Sequence, residues 1–168
     1  MVKNKNIDQE NKILVDKAAS LLAKKQNTIA VAESVTSGNI QAVLSLAKDA
    51  STFFQGGITV YNIGQKCRHL LIEPTHALEV NCVSKKISDQ MALQVCTLFS
   101  ADYGIGITGY ASLVPEENIK KLFAYISIAK HKRLLLSKKI NAQVSDPHEV
   151  QKFYTQQVIK MLVSVLKK

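Results

Sequence analysis

The sequence TIAVA at residues 28–32, followed by ESVTSG at residues 33–38, decides the fold class of this chain. The first five residues are short and apolar, which is typical of a buried strand in a parallel sheet. The next six are small and polar, and Ile40, Val43 and Leu44 after them share one helical face. A buried strand, a turn and a covering helix form the repeating unit of an α/β fold.

Hydrophobic periodicity on both sides extends this unit to the whole chain. The predicted elements are a helix over 8–25, the strand 28–32, a helix after residue 38, a strand at 58–61, a helix over 65–71, a helix after Ser84, a strand at 102–107, strands 122–129 and 134–140, and a helix from Pro147. Alternation in the first half indicates parallel strands with crossover helices, and the late hairpin requires an antiparallel neighbour. We therefore expect one domain over residues 1–168 with a three-layer α/β/α fold and a mixed, mostly parallel sheet of about five strands.

Charge makes nucleic acid a partner to consider. The 168 residues include 22 Lys and Arg against 13 Asp and Glu, which gives a net charge of +9. Only Arg68 and Arg133 are Arg, and Arg is the residue that reads guanine edges and phosphates in a bidentate way. The densest basic segment, 118–145, contains no acidic residue. We interpret it as a solvated hairpin and do not expect nucleic-acid binding.

Cysteine and histidine spacing argues against disulfide and metal chemistry. Cys67, Cys82 and Cys96 are an odd number without a CxxC pair, and the four His residues form no HExxH or HxH pair. The polar N-terminus leads into no signal-like core, and no apolar run reaches the length of a membrane span. These features predict a reduced, cytoplasmic protein without a membrane segment, metal or cofactor.

Three polar segments lie where ligands bind in open α/β sheets, at the carboxyl ends of strands. They are residues 33–38, 61–66 and 108–110. The first combines small hydroxyl residues with a helix start, where free N–H groups favour an anion such as phosphate. The sequence GIGITG at 104–109 fits a dinucleotide-binding pattern, but it lies inside a predicted strand and not in a strand-to-helix turn.

The order and spacing of five segments resemble the CinA C-terminal domain, the competence/damage-inducible protein family. The segments are 32–38, 54–61, 66–71, 83–84 and 106–111, and the resemblance covers nearly the whole chain. Active members of that family are nicotinamide mononucleotide deamidases. The resemblance thus implies a small-molecule nucleotide substrate and a homodimer.

The resemblance also implies roles for individual residues. Ser34 matches the family's nucleophile and Lys66 its catalytic lysine. This pairing is chemically reasonable, because a Ser hydroxyl needs a base and a Lys becomes one when its pKa is lowered. Backbone N–H groups at 36–38 or 108–109 are the expected oxyanion donors. The substrate-binding positions implied are Thr36, Ser37, Gly38, Gly57, Tyr61, Thr108 and Gly109.

Departures from the family pattern keep a second hypothesis open. The family's Gly-rich loop is replaced by 111–116, which contains no glycine, and its Gly-Asp-Arg is replaced by Ser145-Asp146-Pro147. The alternative is therefore a catalytically degenerate CinA-like protein that keeps the fold and binds a nucleotide or a protein partner. Without the resemblance, Ser34 is an ordinary helix cap, Lys66 is a surface residue, and Glu33 is a buried carboxylate that must find structural partners.

Overall fold

A computed structural model of the chain describes residues 2–168, with side chains described except at residues 2–9, 11 and 117. In chain order the elements are α1 Val2–Lys24, β1 Ile29–Glu33, α2 Asn39–Ser45, β2 Phe54–Thr59, α3 Ile63–Leu70, α4 Pro74–Glu79, α5 Lys85–Leu98, β3 Tyr103–Gly109, β4 Phe123–Lys130, β5 Arg133–Asn141 and α6 Pro147–Leu166, with short 3-10 turns at Ala50–Thr52 and Pro115–Glu117.

The sheet has five strands in the order β2-β1-β3-β4-β5. Strand β1 pairs in parallel with β2 and β3, while β4 pairs antiparallel with β3 and β5. Four strands therefore run in one direction, and β4 alone runs against them. This mixed sheet between helix layers confirms the predicted fold class.

The buried β1 strand divides the core between the two helix layers because its side chains alternate across the sheet. Ile29 and Val31 belong to a cluster with residues of α1, α2 and α6. Ala30 and Ala32 belong to a second cluster with residues of α3, α4 and α5. Both faces are thus covered, which explains why the strand is continuously apolar.

The glycines of β3 serve helix packing. A Cβ at Gly104 would clash with the Ala92 carbonyl oxygen, and one at Gly106 would clash with that of Ser88. Helix α5 therefore lies directly on β3. The interpretation of GIGITG as strand, and not as a dinucleotide turn, is confirmed.

Several local predictions are confirmed and one helix was missed. Ser84 and Asp146 accept hydrogen bonds from Ile87 N and Glu149 N at the starts of α5 and α6. The hairpin turns between Lys130 and Arg133 as expected. Helix α3 ends at Leu70, before Pro74 and close to the predicted end at residue 71. Helix α4 was not predicted; it starts at Pro74, because Pro suits the first helical position.

The Lys-rich segment forms the outer strands of the sheet. Strand β5 is an edge strand, and exposed Lys residues on an edge discourage pairing with other chains. The Lys139 ammonium lies 3.8 Å from the centroid of the Phe123 ring, so part of the basic surface packs on the protein's own aromatics. Within residues 2–168, no helix is long and apolar enough to span a bilayer.

Candidate active site

The turn after β1 is organised by one buried carboxylate. Glu33 is fully buried, and its Oε2 accepts hydrogen bonds from Thr36 Oγ1 at 2.6 Å and from the N–H groups of Gly38 and Ile40 at 3.1 Å. Its Oε1 accepts from Gln41 N at 2.9 Å. The carboxylate therefore occupies the N-terminus of α2, where its charge also complements the helix dipole. The structural interpretation of Glu33 is confirmed.

The same bonds correct the prediction of an open anion site at this helix start. The Gly38 N–H donates to Glu33, and the Ser37 N–H donates to Ser34 O at 3.2 Å. Neither is available as an oxyanion donor. Among the described residues, the N–H groups of Val35 and Thr36 have no acceptor, and they directly follow Ser34 in the chain.

A Ser–Lys pair lies beside this turn. Lys66, on α3, donates from Nζ to Ser34 Oγ at 2.9 Å and to Val60 O at 2.8 Å. Lys66 is 1% exposed and Ser34 is 7% exposed. Asn62 caps α3 by accepting from Gln65 N, which fixes the helix that carries the amine. The expectation of a surface Lys at position 66 in the absence of the family match is wrong.

Burial controls the charge of this amine. Desolvation lowers the pKa of Lys66 because removal from water disfavours the ammonium form. The nearby thiols of Cys82 and Cys67 act in the opposite direction on the Lys66 pKa when ionised. Burial also raises the pKa of Cys82, which keeps that thiol protonated. Burial thus shifts the amine toward its neutral form, the form that can accept a proton from Ser34.

A cleft of about 540 Å³ opens over the pair. Its described lining comprises Ser34, Val35, Tyr61, Asn62, Ile63, Lys66, Ala77, Leu78, Asn81, Cys82, Val83, Thr108, Gly109, Tyr110, Ala111, Ser112, Val114 and Gln151. Lys66 is the one charged residue of that lining. The volume and the mixture of apolar walls with scattered polar groups suit a small organic molecule.

The cleft brings together five of the predicted site residues. Ser34, Lys66, Tyr61, Thr108 and Gly109 all line it. Tyr61 is 77% exposed and forms a wall at the mouth. The Thr108 hydroxyl donates to Cys82 O at 2.8 Å, so it also holds the loop before α5 against β3.

The other predicted positions lie outside this lining. The Thr36 hydroxyl is committed to Glu33, and Ser37 and Gly38 form the left-handed turn with φ of 50° and 94°. Gly57 lies beneath α2, where a Cβ would come within 2.5 Å of Val31 O. Thr36, Ser37 and Gly38 shape the strand-to-helix turn, Gly57 packs within the sheet, and none of the four lines the cleft.

Sequence reasoning missed several lining residues. Leu78 lies on α4 and Asn81 lies in the loop after it, and α4 was not predicted from the sequence. Gln151 comes from α6, and its Oε1 accepts from Asn39 Nδ2 at 3.4 Å. The signal for α4 was present, because Glu73-Pro74 combines a capping carboxylate with Pro at the first helical position. No local pattern marks Gln151.

No metal centre is offered by the described residues, which hold no group of three His, Cys, Asp or Glu placed to bind an ion. Cys67, Cys82 and Cys96 are all free thiols. The site geometry is therefore that of a buried serine–lysine pair under an organic-sized cleft.

Comparison with known proteins assigns this architecture. The sequence model of the CinA C-terminal domain matches residues 11–166. A CinA-like protein of Picosynechococcus sp. is 35% identical over 102 residues, which are 61% of this chain and 24% of that protein. A CinA-like protein of Thermosynechococcus vestitus is 38% identical over 93 residues, or 55% of this chain and 22% of that protein. The chain thus spans about a quarter of the length of these curated relatives.

Solved structures share the fold. A competence-damaged protein (CinA) superfamily protein of Klebsiella pneumoniae superposes with a TM-score of 0.87 at 21% identity, covering 94% of this chain and 98% of that one. A superfamily protein of Enterobacter cloacae gives a TM-score of 0.85 at 23% identity, covering 91% and 90%. At these identities the likeness supports the fold alone.

Proposed function

The chain belongs to the CinA C-terminal domain family, and from that premise we propose that it is an amidohydrolase that converts nicotinamide mononucleotide to nicotinic acid mononucleotide and ammonia. The observation that carries the proposal is the 2.9 Å contact between the buried Lys66 amine and the Ser34 hydroxyl at the cleft. A buried Lys whose pKa is lowered, in contact with a Ser, is the arrangement of an activated nucleophile.

In the proposed reaction, neutral Lys66 takes the Ser34 proton as Oγ attacks the carboxamide carbon. The oxyanion that forms accepts a hydrogen bond from the N–H group of Val35, which lines the cleft and has no acceptor among the described residues. The Lys66 ammonium then protonates the leaving nitrogen, and ammonia departs. Water hydrolyses the resulting ester of Ser34, with Lys66 again as base, and the acid is released.

Ammonia release from nicotinamide mononucleotide by the purified chain tests this proposal. We expect steady turnover that Ser34→Ala removes and that Ser45→Ala, an exposed hydroxyl on α2, leaves unchanged. Turnover equal in Ser34→Ala and the parent chain would rule out the serine mechanism.

A binding protein without catalysis is the second candidate, and one observation favours it. The loop that replaces the family's Gly-rich segment is braced: Val114 bridges to Ile119, and the Tyr154 hydroxyl donates to Tyr110 O at 3.1 Å. Such a loop lacks the freedom that glycine gives. Binding of nicotinamide mononucleotide measured by calorimetry, without any release of ammonia, would favour this candidate. The homodimer stays a prediction of the family resemblance, and the cytoplasmic location stays a prediction of the cysteine spacing and the polar N-terminus.

A further inference from the structure

We propose that the side-chain amide of Gln151 is a second hydrogen-bond donor to the oxyanion of the proposed reaction, beside the Val35 N–H group. This inference rests on the proposed function and adds a residue to the same site. Two observations carry it. Gln151 lines the cleft, and its amide is held so that the nitrogen has no partner among the residues whose side chains are described.

A chain of two hydrogen bonds fixes the orientation of the Gln151 amide. The Thr36 carbonyl oxygen can only accept, so the Asn39 atom at 2.8 Å from it is the nitrogen Nδ2. That nitrogen also donates to the Gln151 amide at 3.4 Å, and the acceptor there has to be the oxygen Oε1. The Gln151 nitrogen, Nε2, is therefore the end that remains for a ligand, and it carries two N–H donors.

The backbone that carries Gln151 is fixed as well. Val150 and Tyr154, its neighbours on α6, are both fully buried, and the Tyr154 hydroxyl donates to Tyr110 O at 3.1 Å. Stabilisation of an oxyanion depends on donors that are in place before the charge develops. An amide on a packed helix, with its oxygen already bonded, meets that requirement.

The same hydrogen-bond chain ties Gln151 to the reacting end of the cleft. The chain starts at Thr36, the residue that follows Val35, and Val35 itself follows the nucleophile Ser34. Ser34, Val35 and Gln151 all line the cleft. The backbone N–H of Val35 is one donor, and the Gln151 amide is the neighbouring side-chain donor that completes the pair.

Two other polar groups of the lining are already committed. The Thr108 hydroxyl donates to Cys82 O at 2.8 Å. The Lys66 amine donates to Ser34 Oγ and Val60 O, and the reaction uses it as the base. Neither group has the unused N–H donors that Gln151 keeps.

A change of Gln151 to methionine tests the inference with the full chain. Gln151→Met keeps the length of the side chain and removes the donor. We expect kcat for ammonia release from nicotinamide mononucleotide to fall by about 10²-fold, the usual loss of one oxyanion donor, with KM little changed because the bond is strongest to the charged oxygen.

The matched control is Gln157→Met, which lies on the same helix outside the described lining and should behave as the parent chain. An unchanged kcat in Gln151→Met overturns the inference. A KM that rises alone would place Gln151 against the ribose or the phosphate instead.

Asn39 provides a second test, because the inferred orientation of Gln151 depends on it. A carboxylate at position 39 can only accept, so Asn39→Asp should turn the Gln151 nitrogen toward itself and away from the substrate. We expect kcat to fall by about tenfold or more, and to fall no further when Asn39→Asp is added to Gln151→Met. An equal loss in both backgrounds would mean that the new charge acts directly on the site, and it would overturn the inferred orientation.

A boronic acid separates failure of the inference from failure of the proposed function. The boron of pyridine-3-boronic acid bonds to Ser34 Oγ, the Ser34 proton passes to Lys66, and a tetrahedral anion forms without any release of ammonia. We expect calorimetry to show weaker binding to Gln151→Met than to the parent chain by about tenfold or more, since hydrogen bonds to charged groups are the strong ones.

The outcomes of this experiment are distinct. If the parent chain binds the boronic acid more tightly than Gln151→Met does but releases no ammonia from the mononucleotide, the proposed function fails while the donor role of Gln151 stands. Equal affinity of the two proteins for the boronic acid, or binding to neither, overturns the inference.

Discussion

Glu33, the last residue of β1, and Lys66, on α3, are both ionisable side chains that are buried, with exposures of 0% and 1%, yet their surroundings differ. Glu33 accepts hydrogen bonds from four donors, three of them backbone N–H groups. Among the residues whose side chains are described, Lys66 has a hydroxyl and a carbonyl oxygen as hydrogen-bond partners, and none of those that line the cleft around it is a carboxylate.

This difference indicates a structural role for Glu33 and a chemical role for Lys66. A buried ion with all its hydrogen bonds made is held in one charge state and stabilises its turn. A buried amine with neutral partners is held close to proton loss, which is unfavourable for stability and useful for catalysis. We therefore expect substitution of Lys66 to affect mainly activity and substitution of Glu33 to affect mainly stability.

The largest expected effect is on activity when the amine is removed. Lys66→Met keeps the length and apolar stem but has no base, so ammonia release should fall by about 10²- to 10⁴-fold, the usual contribution of a general base. The urea midpoint should not fall, because replacing a desolvated amine by an apolar side chain is neutral or stabilising.

An exposed lysine provides the control. Lys85 has a side chain that is 63% exposed and pairs with Asp89 at 3.0 Å. Lys85→Met should change the free energy of unfolding by less than about 1 kcal/mol and leave turnover unaffected. Marked destabilisation of Lys66→Met with turnover retained would reverse the roles assigned to the two buried charges.

Removal of the other buried charge should reduce stability. Glu33→Ala leaves buried donors without an acceptor, and the free energy of unfolding should drop by about 3 kcal/mol or more. Urea unfolding followed by circular dichroism measures the loss.

The matched comparison is Glu73→Ala, since Glu73 also accepts two N–H groups at a helix start but is exposed to solvent. Water replaces its bonds, and the expected loss is about 1 kcal/mol. Equal losses in the two alanine variants would contradict the structural role of burial at Glu33.

Stability should also depend on pH through Lys66. The folded-state pKa of Lys66 lies below its ordinary value of 10.5, so between those two pKa values the unfolded chain holds one proton more than the folded chain. The free energy of unfolding therefore gains up to about 1.4 kcal/mol per pH unit as pH rises through this window, and it loses that gain as pH falls through the folded-state pKa.

Lys66→Met lacks this contribution, so the stability of the parent chain should approach that of the variant as pH rises from the lowered folded-state pKa of Lys66 towards its ordinary value of 10.5. The Cys82 thiol, whose pKa burial raises, contributes with the opposite sign, and because Lys66 lowers the Cys82 pKa this contribution differs between the two proteins. Both proteins are therefore compared in a Cys82→Ala background, which removes the thiol. Urea midpoints measured across this pH range for both proteins test the prediction. A constant difference between them would mean that Lys66 is protonated in the folded state at every pH tested.

Most of the fold was predictable because its signals are local. The apolar run 28–32, the caps Ser84 and Asp146 and the hairpin turn each mark an element within a few residues, and the structure confirms them. Helix α4 was missed because it has only six residues, too few to display hydrophobic periodicity.

Site residues such as Ser34 and Lys66 were predictable only because they match motifs of the family. Position 66 carries no local sign of burial, since its neighbours Gln65, Arg68 and His69 are exposed on the same helix. The Thr36 hydroxyl and the Gly38 N–H are not available to a ligand because both donate to the Glu33 carboxylate. The sequence does not show which way that carboxylate points. Leu78 of α4 and Gln151 of α6 reach the cleft through tertiary packing, and their spacing in the sequence gives no sign of it.

The smallest effect is expected at the mouth of the cleft, away from both buried charges. Tyr61→Ala removes an exposed ring that we assign to contact with the pyridinium, and exposed cation–π contacts are worth about 0.5–1 kcal/mol. KM for nicotinamide mononucleotide should therefore rise by about two- to fivefold while kcat stays unchanged, because the ring lies at the mouth of the cleft and is no part of the Ser34–Lys66 pair. Tyr61→Phe keeps the aromatic face and should match the parent chain. A fall in kcat with Tyr61→Phe would instead indicate that the Tyr61 hydroxyl takes part in proton transfer. Tyr61 would then be a catalytic residue beside Ser34 and Lys66, and not only a wall of the cleft.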